Sequence, residues 1–453
     1  MTSLIMKRSL LLLLGGAFTL GAIGCGDDTP VDPPDDDVTV VTDTLIGSTG
    51  LKDVRVEPGP NKTIYLSGFY TINPGTSLTI PAGTIVKGLP QTTTGQHAAI
   101  VALRGDGVKA SGQLIAIGTA TEPIIFTSSL QAGARDRGNW GGIVLLGLST
   151  VNLAGGTGDI EGTGGSYGWG GVISAAKSDD NSGTLKYVRV EYGGTPITPD
   201  NEINGVTFGA VGTGTTVEYI QAHMIADDGF EWFGGTVNGK HLVSSGNDDD
   251  AFDMDFGYSG NLQYLFALQD PALANRGFEI DNNNADNNAQ PYTSATVANV
   301  TIVGAGIDKT PSGENNDGFY LRRGTRLKIW NAISTNFRWA MVVDGEATSA
   351  NVQSGDLYVK NSILHGRSGA YGRSDTTKVA SYTALAGGWN NILEDPQLGS
   401  IDFANPDPRP ANPKAANVGA VPSNGYFDPV SFAGAFNPAA SLWTSGWTNW
   451  LKK

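Results

Sequence analysis

The sequence predicts an all-β chain wound as a right-handed parallel β-helix, closed by a C-terminal capping segment. Short apolar, β-branched runs recur from Tyr65 onward, separated by Gly, Asn, Asp and Pro. Four segments of the middle region repeat one pattern around a phenylalanine. The composition agrees, with 63 glycines and only 16 % charged residues. Such a chain suits strands and tight turns rather than long surface helices, which want Ala, Glu, Lys and Leu.

The early runs are Leu78–Ile80, Ala99–Leu103, Leu114–Ile117, Ile124–Phe126 and Ile143–Leu146. The text SGQLIAIGTATEPIIFTS, followed by WGGIVLLG, resembles the opening coils of bacterial right-handed β-helices. The four repeated segments are Asp227–Phe233, Asp249–Asp255, Asn275–Asp281 and Asn316–Arg322. Their phenylalanines, Phe230, Phe252, Phe278 and Phe319, stand 22, 26 and 41 residues apart. One coil takes roughly 20–30 residues, so the longest interval carries an insertion. A second family of strands lies between them, through Val217–Ile220, Leu242–Val243, Leu262–Leu265, Ala298–Ile302, Leu327–Trp330 and Leu357–Val359. Strand alternation points Phe230, Trp232, Phe252, Met254, Phe278, Ile280, Phe319 and Leu321 inward. It points Glu231, Phe233, Asp253, Asp255, Glu279, Asp281, Tyr320 and Arg322 outward. A propeller would need four strands per repeat, which this spacing does not supply.

The chain divides into a leader over 1–24, a tether over 25–43, the β-helix over 44–400 and a cap over 401–453. Lys7-Arg8 precedes an apolar stretch from Leu10 to Leu20, too short for a permanent membrane span. Ala22-Ile23-Gly24-Cys25 resembles a lipobox, which implies cleavage before Cys25 and its lipidation; Ala22 departs from the usual leucine. Acidic residues after the cysteine resemble surface-export signals of some Gram-negative lipoproteins. Residues 26–37 are rich in Pro and Asp and cannot bury apolar surface, so they form an extended tether. Acyl chains, palmitate among them, then hold an exported protein at the outer membrane or cell surface.

The net charge of −15 opposes phosphate backbones and argues against nucleic-acid binding. Cations and neutral sugars are the better partners, although solubility alone explains the charge equally well. Cys25 is the only cysteine, so neither an internal disulfide nor a cysteine metal site exists. His97, His223, His241 and His365 offer no His-x-x-x-His spacing, which argues against a zinc enzyme. Trp443, Trp447 and Trp450 mark a terminal segment read as packing along the outside and ending over the last coil. A carbohydrate-binding tryptophan surface is the alternative.

The register makes a chemical expectation. Equivalent residues of neighbouring parallel strands stand about 4.8 Å apart. Glu231, Asp253 and Glu279 then form one outward column, and Asp255 and Asp281 a second. Like charges at that distance repel by about 1 kcal/mol per pair in water, and by more in a drier setting. Relief comes from protonation, from Arg276, Arg322 and Arg323, or from a cation. Ca²⁺ suits such a site because it accepts many oxygens in loose geometry. Asp227, Asp228, Asp248, Asp249 and Asp250 stand at the adjoining turn and complete the candidate set. Three readings stay open here: structural turns, a Ca²⁺ site and a catalytic site. Residues 281–288, Asp-Asn-Asn-Asn-Ala-Asp-Asn-Asn, read as a flexible loop or an asparagine turn ladder.

Pectate lyases resemble this chain in fold, and the resemblance implies Ca²⁺ held by stacked acids with an arginine or lysine base. Arg276, Arg322 and Asp253 are the candidates for catalytic roles on that analogy. Polygalacturonases match only in part, through Asp227-Asp228 and Arg326-Leu-Lys328; Gly-His-Gly is missing. The phrases DDNSGTLKYVRVEYGG, EINGVTFGAVGTGTTVEYIQ, DDGFEWFGGTVNGKHLV and DDDAFDMDFG resemble bacterial cell-surface lipoproteins with a pectin-lyase-like parallel β-helix. That resemblance spans nearly everything after the tether and implies location and fold, without an activity. The expected function is non-catalytic glycan binding or surface contact. The alternatives are a Ca²⁺-dependent polysaccharide lyase or glycosidase, and a structural surface-layer component.

Overall fold

Alternation is the local rule that builds this molecule. In Thr63–Ile72 every second residue, from Ile64 to Ile72, is buried, while the residues between reach the surface. A computed structural model of the chain describes residues 38–91, 95, 97–165, 167–171, 176–198, 201–273, 275–306, 316–372 and 387–453. Twenty-six of its strands join in a single sheet, and its pairings run parallel. Right-handed coiling is the general rule for connections between parallel strands.

Each middle coil contributes a short strand and a long one. The short strands Ile143–Leu146, Val206–Gly209, Phe230–Phe233, Phe252–Asp255, Phe278–Ile280, Asp317–Leu321 and Trp339–Val343 pair successively. Phe230, Phe252, Phe278 and Phe319 are in register and fully buried, with successive ring centroids 5.6, 4.9 and 5.2 Å apart. Burying each such ring contributes about 1.5–3 kcal/mol, so the phenylalanine stack is a main source of coil-to-coil cohesion. The inward assignments made from the sequence hold for these strands, whereas Glu231, Phe233, Glu279 and Asp281, expected to face outward, are buried as well.

The long strands Gly183–Glu191, Thr216–His223, Gly239–Ser245, Asn261–Leu268 and Thr296–Val303 also pair in parallel, but each pairing skips one residue. Those residues, Tyr187, Tyr219, His241, Tyr264 and Asn299, have φ between 50° and 63°. Each is a left-handed corner that bends its strand, so a coil has three faces where the sequence showed two strand families. Asn331 stands at the same corner between Lys328–Trp330 and Ile333–Thr335, and Gly68 bends Thr63–Ile72. Glycine meets this backbone without penalty, and asparagine at modest cost.

One boundary and one placement differ from expectation. The first strand, Val38–Val41, pairs with Asp53–Val56, so sheet structure begins inside the stretch assigned to the tether. Its φ/ψ preference is set by Val-Thr-Val-Val, a β-branched run beyond the last aspartate. At the other end, the turn Gly387–Trp389 and the bridge between Ile363 and Ile392 lie on the last coil. The terminal segment does not end there. It runs back along the outside, packing Val418 near Ile333 and Ile363, then Phe427 near Ala298. Phe436, Trp443, Trp447 and Trp450 finally join Tyr187, Tyr219, Tyr192 and Phe266. Trp447 is fully buried, which removes it from any exposed sugar platform.

Residues 281–288 are not a free loop. Asn282 and Asn283 are buried and exchange side-chain amide bonds with Asn152, several at 3.0 Å. Cys25, the leader and residues 25–37 of the tether lie outside the described residues.

Candidate functional site

The acidic column forms because parallel pairing preserves register. Glu231 stands beside Asp253, Asp253 beside Glu279, and Glu279 beside Tyr320. Phe233 pairs with Asp255 on the neighbouring column. Asp281 follows Asp255 there, its amide bonded to the Met254 carbonyl at 2.9 Å.

The turn residues before these strands make a second ladder. The Asp250 amide donates to Asp228 Oδ1, and the Arg276 amide to Asp250 Oδ1, both at 2.8 Å. The side-chain amide of Asn275 donates to the Asp249 carboxylate across coils. One oxygen of Asp228 and one of Asp250 therefore do the work of turns. The second oxygen of Asp250 faces the Arg276 guanidinium at 3.8 Å.

Two residues that the sequence reading missed finish the site. Glu161 lies beside the antiparallel pair of Gly158–Asp159 with Gly168–Trp169, and Glu202 belongs to the pair of Pro196–Thr198 with Asn201–Glu202. Both pairs are insertions between coils, where the repeat gives no register. The resulting cavity holds about 210 Å³ and is lined by Glu161, Glu202, Asp227, Asp228, Glu231, Asp249, Asp250, Asp253 and Glu279, with Arg276. What the sequence suggested as an open acidic face is thus a walled recess. Asn204 ties the wall to the column, donating to Glu161 at 3.3 Å and to Glu231.

Three carboxylate triplets bring ligand oxygens within 4.8 Å of one another: Asp227, Asp228 and Asp249; Asp228, Glu231 and Asp253; Asp250, Asp253 and Glu279. Of the candidate ligands, Asp228, Glu231, Asp250, Asp253 and Glu279 come together. Asp255 and Asp281 stand outside these triplets. Asp281 is held by Arg322 and Arg323, each at 2.5 Å, and Asp248 is exposed and turned toward Arg137 and Asp270.

Burial makes this concentration of carboxylates hard to ionise. It pushes Asp227 up to about 8, helped by Asp249 and Glu161. It pushes Asp249 to about 7, helped by Asp250 and opposed by Arg276. Asp281 rises to about 6, again through burial, with Arg323 opposing. Asp228, Glu231, Asp253 and Asp255 rise well above the ordinary carboxylate range, burial first and neighbouring carboxylates after it. Asp253 Oδ1 and Asp255 Oδ1 are sealed from solvent with no donor in reach.

The arginines are committed. Arg276 pairs with Glu279 and stands 3.8 Å from Asp250. Arg322 bridges Glu279 and Asp281. Tyr320 lies under both guanidiniums, 4.2 Å from Arg276 and 5.7 Å from Arg322. Arg326 stacks on Tyr292 at 3.6 Å and pairs with Asp356, and Lys328 lies on a long-strand face. Neither lines the cavity, which leaves the polygalacturonase-like match without a shared site.

No curated protein and no solved structure matches the chain. A family model described as a pectate-lyase like beta helix domain matches residues 51–391. That span covers the parallel strands from Asp53–Val56 to Gly369–Gly372 and every residue of the acidic recess, and so the chain belongs to the pectate-lyase-like β-helix domain family.

Proposed function

We propose that this is a lipid-anchored, non-catalytic surface protein that takes divalent cations into its carboxylate recess and meets a glycan or another surface through them. The observation that supports this best is the overlap of the three carboxylate triplets, which share Asp228 and Asp253. Their donors are all oxygen, the set Ca²⁺ prefers. Asp253 Oδ1, buried without a donor, is the kind of atom that a cation satisfies. Ca²⁺ there would be held by Asp228, Glu231, Asp250, Asp253 and Glu279, and would supply positive charge to an otherwise anionic recess.

The arginines favour binding over cleavage. A guanidinium clamped between carboxylates stays charged and makes a poor base, and Arg276 and Arg322 are both held so. A Ca²⁺-dependent lyase or glycosidase therefore finds less support here. A structural surface-layer component would share the anchor and need no glycan.

Ca²⁺ at a hundred times its dissociation constant stabilises by about 2.7 kcal/mol. A chelator should then lower the melting temperature by several degrees, and Asp253→Asn should abolish that dependence. Retention on an insoluble acidic glycan in Ca²⁺, without new reducing ends or unsaturated product, supports the binder. Turnover that disappears in Asp253→Asn would replace it with the enzyme. For the anchor, Cys25→Ser should move the protein from the membrane fraction to the soluble one and end palmitate labelling.

A further inference from the structure

The C-terminal arm is held by groups that belong to the coils. Gln221 exchanges two bonds with the backbone of Asn449, both at 2.7 Å. Gln263 grips Asp428 in the same way, at 3.2 and 2.8 Å. Two histidines stand at the centre of this contact, His223 buried and His241 half-buried.

His223 is fully buried. Its Nε2 lies 2.7 Å from the Leu451 carbonyl and its Nδ1 lies 3.0 Å from Ser245 Oγ. A carbonyl only accepts, so Nε2 carries the proton and Nδ1 accepts from Ser245. Gln221 already donates to Ser245 Oγ at 3.0 Å. A second proton on the ring would leave the serine hydrogen without its acceptor. Burial lowers the His223 pKa; Glu191 opposes this, while Arg189 and Arg137 reinforce it. From the arm, Lys452 reaches Asp270, the partner of Arg137.

His241 lies between Tyr219 and Tyr264, with centroids 4.2 and 4.7 Å away, and meets the edge of Trp443 at 5.0 Å. Its buried Nδ1 has no hydrogen-bond partner. Burial lowers its pKa to about 4; Asp428 of the arm and Glu218 oppose, and Lys240 and Lys186 reinforce. Tyr426 of the arm lies over Lys240 at 4.9 Å.

We propose that the arm from Val418 to Lys453 is an acid-released latch: protonation of His223 and His241 frees it from the outer face while the coils remain folded. Both rings dock neutral. Docking is therefore at full strength above the free-histidine value near 6.5 and weakens as pH falls toward 4. Release bares the stacked column of Tyr187, Tyr219, His241 and Tyr264.

Hydrogen exchange on the full chain between pH 7.5 and 4 tests this, with rates corrected for intrinsic pH dependence. Peptides within 418–453 should lose at least tenfold of their protection below pH 6.5, while peptides of Phe230–Phe233 and Phe278–Ile280 keep theirs. The pair His223→Gln and His241→Tyr preserves the polar bonds and the stack without a titrating group, and should hold the arm down to pH 4. His241→Tyr alone should move release to lower pH if the double variant does not fold. Release at an unchanged pH in the folded variants overturns the latch. So does an arm that loosens only together with the coils.

Discussion

Asp253 shows what one carboxylate does when it stands in a stack. It faces Glu231 on one side and Glu279 on the other, and one of its oxygens is sealed without a donor. Such an arrangement folds only with protons, cations or guanidiniums in place. Arg322 supplies part of that compensation, so Arg322→Ala should cost about 2 kcal/mol in chelator and less in saturating Ca²⁺, read from denaturant midpoints. Protons supply another part. Asp227 and Asp249 titrate near 8 and 7 in the folded chain, against about 3.9 unfolded. A raised folded value means stability that is complete below about pH 4 and lost as pH climbs through 7 and 8. Chelated protein should therefore melt at lower temperature at pH 8.5 than at pH 6.5, and Ca²⁺ should flatten that slope. That window overlaps the range of the histidine latch but has the opposite sign: acid favours the recess and weakens the latch.

A coil is the unit whose register the sequence reveals. The four phenylalanines specify it, because a large ring that repeats along parallel strands lands on itself. The Glu231, Asp253 and Glu279 column follows from the same count. The strand corner was not legible, since tyrosine, which fills three of its positions, is a poor signal for a left-handed residue. Tyrosines occupy it here because the ring above and the ring below hold them, as in Tyr187 on Tyr219 at 4.4 Å. Glu161 and Glu202 were illegible for another reason: their hairpins interrupt the coils and share no period with them. Phe252 has rings on both sides, so Phe252→Ala should cost about 3–5 kcal/mol by chemical denaturation. Loss of so large a buried ring should also loosen Asp253 and weaken Ca²⁺ binding in the same preparation.

Across the whole molecule, charge and topology act together. The net charge of −15 makes compaction work against self-repulsion. Added NaCl should raise the melting temperature of chelated protein by a few degrees between 10 and 200 mM, as the screening length falls from about 30 Å to under 10 Å.

The returning arm sets an order of events. Ribosomes deliver Tyr187 and Tyr219 more than two hundred residues before Trp447, which must find them. Closing so long a loop is slow relative to winding the next coil onto the last. The solenoid should therefore pass through a stage that is wound but unsealed, its tyrosine seam wet until Trp443, Trp447 and Trp450 dock. A segment made late thus finishes the middle of the protein.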